Sequence, residues 1–319
     1  DFWRTFDLNT ELHSSGNFLH AGLSVLDKCE HLENEDEVFD ILYHLAVGFE
    51  RLFKVAIVLL EHNPDTDQVE FEKSLITHNH MTLLERIRAR TPLPLSTPHH
   101  TLLACLGNFY QTFRYDRFNL ASVADREKER ADFRLFIAKG IDVQLGTGET
   151  MFPTYDMPRI RRFVGRTVGK IAERAFAIVK QAAESNGLYT YELRSESKAF
   201  KIFMRNEYDF IKEDIAWKEL LLYLIKTKDS STLTKLTEDF VPLDFGPGDA
   251  MEHLDAFRSE TKRTELIDLV ESLHEDVRPV RERLELLELI GSKTAFIVMD
   301  EDVPEDARES DGNPEEESR

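Results

Sequence analysis

The chain has 319 residues, is 41% hydrophobic and 31% charged, and carries 14 Gly and 11 Pro, which excludes wholesale disorder and fibrous or collagen-like classes. Its two cysteines, Cys29 and Cys105, exclude a disulfide framework and a four-cysteine zinc site and point to a reducing, cytoplasmic setting. The net charge of -20 is unevenly spread: residues 1–80 carry 5 basic and 16 acidic side chains, residues 158–212 carry 12 and 6, and residues 300–319 carry 2 and 10. A polyanion would therefore have to approach the basic island in the middle of the chain, because the acidic flanks repel it. The plainer alternative is that basic helices pair with acidic ones inside one molecule.

Helical periodicity dominates, and the expected class is all-α. Leu12, Phe18, Leu19, Gly22, Leu23, Val25 and Leu26 mark one face of a first helix. After the acidic run 33–37, residues 38–62 form almost seven turns whose apolar positions nearly encircle the axis, so this helix should be central and most buried; Asn63-Pro64-Asp65 stops it. Thr77 is the expected N-cap of a third helix, ended by Pro92 and Pro94. Thr97-Pro98 opens a fourth with Pro98 at the first helical position, and a charged fifth covers about 123–138, closed by Gly140.

The basic island runs as one helix from Pro158 to Asn186-Gly187, with Gly165 and Gly169 set for close packing by a neighbour. The alternation in 188–193 reads as a short strand. Helices follow at about 195–212, 214–227, 249–275 and 278–290, then a β-type run at 293–299. Residues 300–319 have no apolar period and should be disordered. No apolar run reaches the roughly 18–20 residues of a membrane helix, and the first residues lack a signal-peptide pattern, so no membrane partner is expected. P-loop, HExxH, GxSxG and GxGxxG signatures are absent, and no cofactor or metal is expected.

Four segments matter together: GFERLFK at 48–54, HNHMTLL at 78–84, GNFYQTF at 107–113 and FRYDRF at 113–118. A long helix, a helix opening with His, a helix ending in an aromatic pair and then Arg-Tyr resemble the HEPN superfamily of α-helical bundles over about residues 10–140. The resemblance implies an up-down bundle, a dimer and metal-independent endoribonuclease activity in bacterial stress, toxin-antitoxin or phage-defence systems, with RNA as substrate. The family signature is an Arg, then four to six intervening residues, then a His. The chain departs from it, since Arg114 and Arg117 have no downstream His before His253, and eight residues including three prolines separate Arg90 from His99.

The nearest substitute is non-local. In an up-down bundle the start of one helix and the end of the next share a pole, which would bring His78 and His80 to Arg114, Tyr115 and Arg117 as a catalytic set. Glu50, Arg51, Lys54, Asp116, Arg161 and Arg162 are the substrate-contacting candidates. Each has a structural alternative. Glu50 and Lys54 form an i,i+4 pair, Arg51 needs a carboxylate such as Asp116 or Glu85, and His78 lies near a helix start. His99-His100 is expected to be exposed and lacks further metal ligands. Tyr110, Phe113, Tyr115 and Phe118 read as core or as a base-stacking platform.

The expected organisation is a bundle over 1–140, a basic helical extension over 141–228 packed on it, a helical part over 229–299 and the acidic tail. The rival to an RNA-associated protein is a non-catalytic helical adaptor or dimerisation subunit. A nucleotide or small-ligand sensor rests on the basic island alone.

Overall fold

The computed structural model describes residues 2–113, 127–142, 156–211, 242–246, 248, 254, 260–275, 281 and 283. The chain divides into two compact units, Asp1–Trp217 and Lys218–Arg319. The first unit holds α1 (Phe2–Lys28), α2 (Glu35–Glu61), α3 (Gln68–Ser74), α4 (His80–Arg88), α5 (Thr97–Asn108), α6 (Glu127–Gly140), α7 (Met157–Ser185) and α8 (Lys198–Phe203). A π-helical turn, Phe109–Phe113, prolongs α5. In the second unit the described helix is α9, Glu260–His274. Among the described residues there is no strand, and the fold is all-α. No described helix is long and apolar enough to cross a membrane.

Apolar residues ring α2, so the hydrophobic effect drives it to the centre. From Val38 to Leu59 it is buried on nearly every side, and it touches α1, α4, α5, α6 and α7. Its own Phe49 and Phe53, with Phe109, Phe133 and Phe136 from its neighbours, are the largest wholly buried side chains among the described residues. The neighbours alternate in direction. Arg4, at the start of α1, donates to the His62 carbonyl at the end of α2, so α1 runs antiparallel. His80 lies against Ala46 and Arg86 against Glu61, so α4 runs parallel to α2. The chain regains the level of residue 46 through α3 and the turn and coil residues 75–79. α5 then runs antiparallel to α4: His100 meets Arg88 at one end, and Gly107 meets His80 at the other. α7 is parallel to α2, with Arg161 beside Leu26 and Asn186 beside Leu59.

Several boundaries correct the sequence reading. α1 begins ten residues before Leu12, held there by Asn9 Nδ2 donating to the carbonyls of Thr190 and Glu192 (2.8 and 2.6 Å). The N-cap of α4 is Asn79, which accepts from the Thr82 N–H; Thr77 instead accepts from the Asn79 N–H. In α5 the cap is Ser96, so Pro98 is the second helical residue. The segment 188–193 is turns and coil. Its alternation is real, with Leu188 and Thr190 buried and Tyr189 exposed, but a side chain of α1 takes the carbonyls a neighbouring strand would have used. The helix expected over 195–212 is α8 alone, capped by Ser197, followed by turns. Sequence reading missed α3, which buries a single residue, Phe71. The expected elements at 214–227, 278–290 and 293–299 and the tail at 300–319 lie outside the described residues, apart from positions 281 and 283.

α7 ends as expected. Gly187 has φ of 68°, and the Leu188 and Gly187 N–H groups return to the carbonyls of Ala183 and Glu184 (2.9 and 3.1 Å), which closes a Schellman motif. Gly165 and Gly169 admit Tyr208. A Cβ on Gly165 would stand 2.6 Å from the Tyr208 carbonyl oxygen, and one on Gly169 would stand 2.2 Å from its ring.

Candidate functional site

Glu50 is the one buried carboxylate among the described core residues, 8% exposed on a helix otherwise sealed by apolar side chains. A charge taken out of water needs partners. Lys54, one turn further along α2, donates to Oε1 at 2.6 Å, and His78 places Nδ1 2.9 Å from Oε2. Burial by itself pushes the Glu50 carboxyl up, but the hydrogen bonds from Lys54 and His78 and their charges outweigh it and hold it below its ordinary value.

The second imidazole, His80, is wholly buried, and its Nε2–H donates to the Ala46 carbonyl at 2.8 Å. Its Nδ1 has no hydrogen-bond partner among the described residues. Burial lowers the His80 pKa, with the bond to Ala46 opposing, so the ring stays neutral. The π turn after α5 completes the wall. Tyr110, nearly buried, sits with its ring 5.0 Å from that of His78 and 6.2 Å from that of Tyr43. A π turn widens the helix by one residue and commonly marks functional positions.

The chemistry of His78 follows from its partner. A carboxylate only accepts, so Nδ1 carries the proton, and Nε2 of the neutral ring keeps its lone pair. His78 is 48% exposed, and Nε2 has no hydrogen-bond partner among the described residues. A carboxylate that fixes the tautomer and orientation of a reachable imidazole gives a general base, or an acid once protonated, and it stabilises the imidazolium. Lys54 adds a cation through the same carboxylate. Among the described residues no group of side chains could hold a metal ion.

The predicted site residues divide in three. His78, His80, Glu50 and Lys54 come together at the start of α4 beside the end of α5. Arg51 faces away from them: its guanidinium pairs with Glu11 rather than with the expected Glu85, and lies 5.7 Å over the Phe18 ring. Glu85 pairs instead with Arg88. Arg161 also stands apart, donating to the carbonyls of Leu26 and Cys29 (3.2 and 2.7 Å) and capping the end of α1. Arg162, next to it, is exposed. Arg114, Tyr115, Asp116 and Arg117 lie outside the described residues. His99 and His100, expected to be exposed, are half-buried: His99 accepts the Ser96 N–H in a capping box, and His100 accepts from Arg88. Tyr110 belongs both to the core and to this cluster; its place in the aromatic pair ending α5 was the available signal.

No family model, curated protein or solved structure matches the chain.

Proposed function

We propose that the protein is an RNA-associated helical protein of HEPN-like type whose Glu50–His78 dyad works as a metal-independent endoribonuclease centre. In this reading His78 Nε2 takes the proton of a ribose 2′-hydroxyl, and that oxygen attacks the adjacent phosphorus. The 5′ oxygen leaves with a proton from solvent, giving a 2′,3′-cyclic phosphate and a 5′-hydroxyl. Lys54 offsets charge gathering on the phosphate, and Glu50 holds the ring in its working tautomer. The observation that carries the reading is the buried carboxylate bonded at once to a half-exposed imidazole and to an ammonium.

The test is single-turnover cleavage of a panel of single-stranded and hairpin RNAs in the presence of EDTA, with wild type and His78→Ala. Cleavage should survive the chelator and fall at least about 100-fold in the variant, with an unchanged far-UV spectrum. Equal cleavage by both proteins, or none by wild type on any substrate, removes the enzymatic reading and leaves the helical adaptor.

A further inference from the structure

The basic island is concentrated on α7. Between Met157 and Arg162, and on to Lys170, that helix carries no acidic side chain. Its apolar side is sunk in the core through Ile160, Val164, Val168, Ile171 and Ala175, which leaves Arg162 and Arg166 exposed and Lys170 and Arg174 half-buried, at four-residue intervals along a line that winds about 120° round the helix. At 1.5 Å per residue these four charges span about 18 Å in steps of about 6 Å. Internal pairing does not account for them. Lys170 pairs with Glu173 at 2.8 Å, but Arg162, Arg166 and Arg174 have neither ion pair nor hydrogen bond among the described residues. This contrasts with Arg161, whose guanidinium is fully engaged on backbone carbonyls.

The start of α5 lies within the same field. His99 is held below its ordinary pKa by burial first and then by the nearby charge of Arg174, with His100 and Lys170 also contributing, so the far end of the stripe abuts the opening of α5. The other end of α5 carries Tyr110 against His78, 11 residues on and therefore about 16 Å along the axis. The protein's overall charge of -20 does not cancel the stripe, because beyond a Debye length of about 8 Å at physiological salt the acidic remainder is screened.

We infer that this stripe is the docking track for the phosphate backbone of single-stranded RNA, with Arg162, Arg166 and Arg174 each contacting a phosphate. The inference deepens the RNA-associated reading and rests on it for the kind of polyanion. Membrane lipid fits the face poorly, because an interfacial helix needs its apolar side free and that of α7 is buried. Sequence-independent binding is expected, since the outward side offers charges and no exposed aromatic ring for base stacking.

The experiment is fluorescence anisotropy of a labelled, mixed-sequence 20-mer of 2′-O-methyl RNA, which has no 2′-hydroxyl to support cleavage. It is titrated with the full chain as wild type, as Arg162→Gln/Arg166→Gln/Arg174→Gln, and as Lys73→Gln, an exposed cation of α3 outside the stripe and the dyad. Each lost phosphate contact removes about 0.7 from the slope of log K against log salt, so the triple variant should lose about 2 and bind on the order of 100-fold more weakly at 0.1 M salt. Lys73→Gln should bind within about twofold of wild type. Unchanged affinity or slope in a folded triple variant overturns the inference, as does absence of wild-type binding at low salt. It is also overturned if polyglutamate or phosphatidylserine vesicles bind as tightly as RNA and lose as much in the variant. Cleavage and binding fail separately: an inactive protein that binds through the stripe rejects the dyad alone, and an active one indifferent to the triple change rejects the stripe alone.

Discussion

Replacing Glu50 by Gln separates what the carboxylate does for the fold from what it does for His78. Two hydrogen bonds to a charged acceptor are at stake, each worth roughly 1.5–3 kcal/mol where water is excluded. Lys54 and His78 keep 26% and 48% of their side-chain surface exposed, which discounts both values. Gln retains one acceptor oxygen, so the net loss should be about 2 kcal/mol. For a unit of 217 residues that is a drop of about 4–8 °C in melting temperature at pH 7.5. The difference should itself depend on pH. A carboxyl whose folded pKa lies below its unfolded value contributes stability above the unfolded pKa, near 4.5, and loses it as pH falls through the folded value. Calorimetric melts of wild type and variant should therefore diverge above about pH 5 and converge in acid. Melting curves that coincide at pH 7.5, or a gap that persists unchanged at pH 3, would refute the account of Glu50 as a buried anion with two partners. Cleavage should fall more than stability explains, because the Gln amide can donate to Nδ1 and hold His78 in the wrong tautomer.

Gly165→Ala should destabilise the first unit by about 1–2 kcal/mol despite alanine's better helix propensity, since the new methyl meets the backbone oxygen of Tyr208; a urea titration that shows a gain would place Tyr208 elsewhere. Acid should weaken the fold from about pH 6.5 downward, because the buried His80 stays neutral while its unfolded counterpart binds a proton. His80 alone contributes a slope of about 1.4 kcal/mol per pH unit until its folded pKa is reached. Urea titrations from pH 7.5 to 5.5 measure it, and a His80→Gln protein with the same slope as wild type would assign the proton uptake to other groups, such as His13 and His99, whose pKa values burial also lowers.

What could be read from the sequence was whatever depends on neighbours a few residues away. The apolar sweep of residues 38–62 identified α2 as the buried axis because so many of its faces are hydrophobic, whatever packs on them. The stop at Asn186-Gly187 was legible because only glycine enters the left-handed region without strain. The first turns of α1 gave no such signal: Arg4 and Asn9 are fixed by the carbonyls of His62, Thr190 and Glu192, between 58 and 183 residues away. The strand reading of 188–193 failed for the same reason, since alternation reports burial on one side and not the presence of a partner strand.

The site shows where this limit falls. Glu50 and Lys54 share a helix face by spacing alone, so their pairing was available. Nothing local, however, says that Arg51, one residue on, turns toward α1 and pairs with Glu11, or that Arg161 caps α1 while Arg162 faces solvent. Adjacent residues on a helix point about 100° apart, so two identical arginines acquire different roles from the phase of α7 against α1. The Glu50–His78 contact needs still more. α4 must run parallel to α2, and that requires α3 and residues 75–79 to carry the chain back to the level of residue 46 before α4 begins. With an ordinary short antiparallel connection, α4 would instead open near Glu61 and leave His78 far from Glu50. The polar dyad is thus a consequence of the return segment, whose only buried residue is Phe71 in α3. Because Phe71 is gripped by the ring of His62 and the guanidinium of Arg86, the geometry of His78 is anchored to the opposite end of α2.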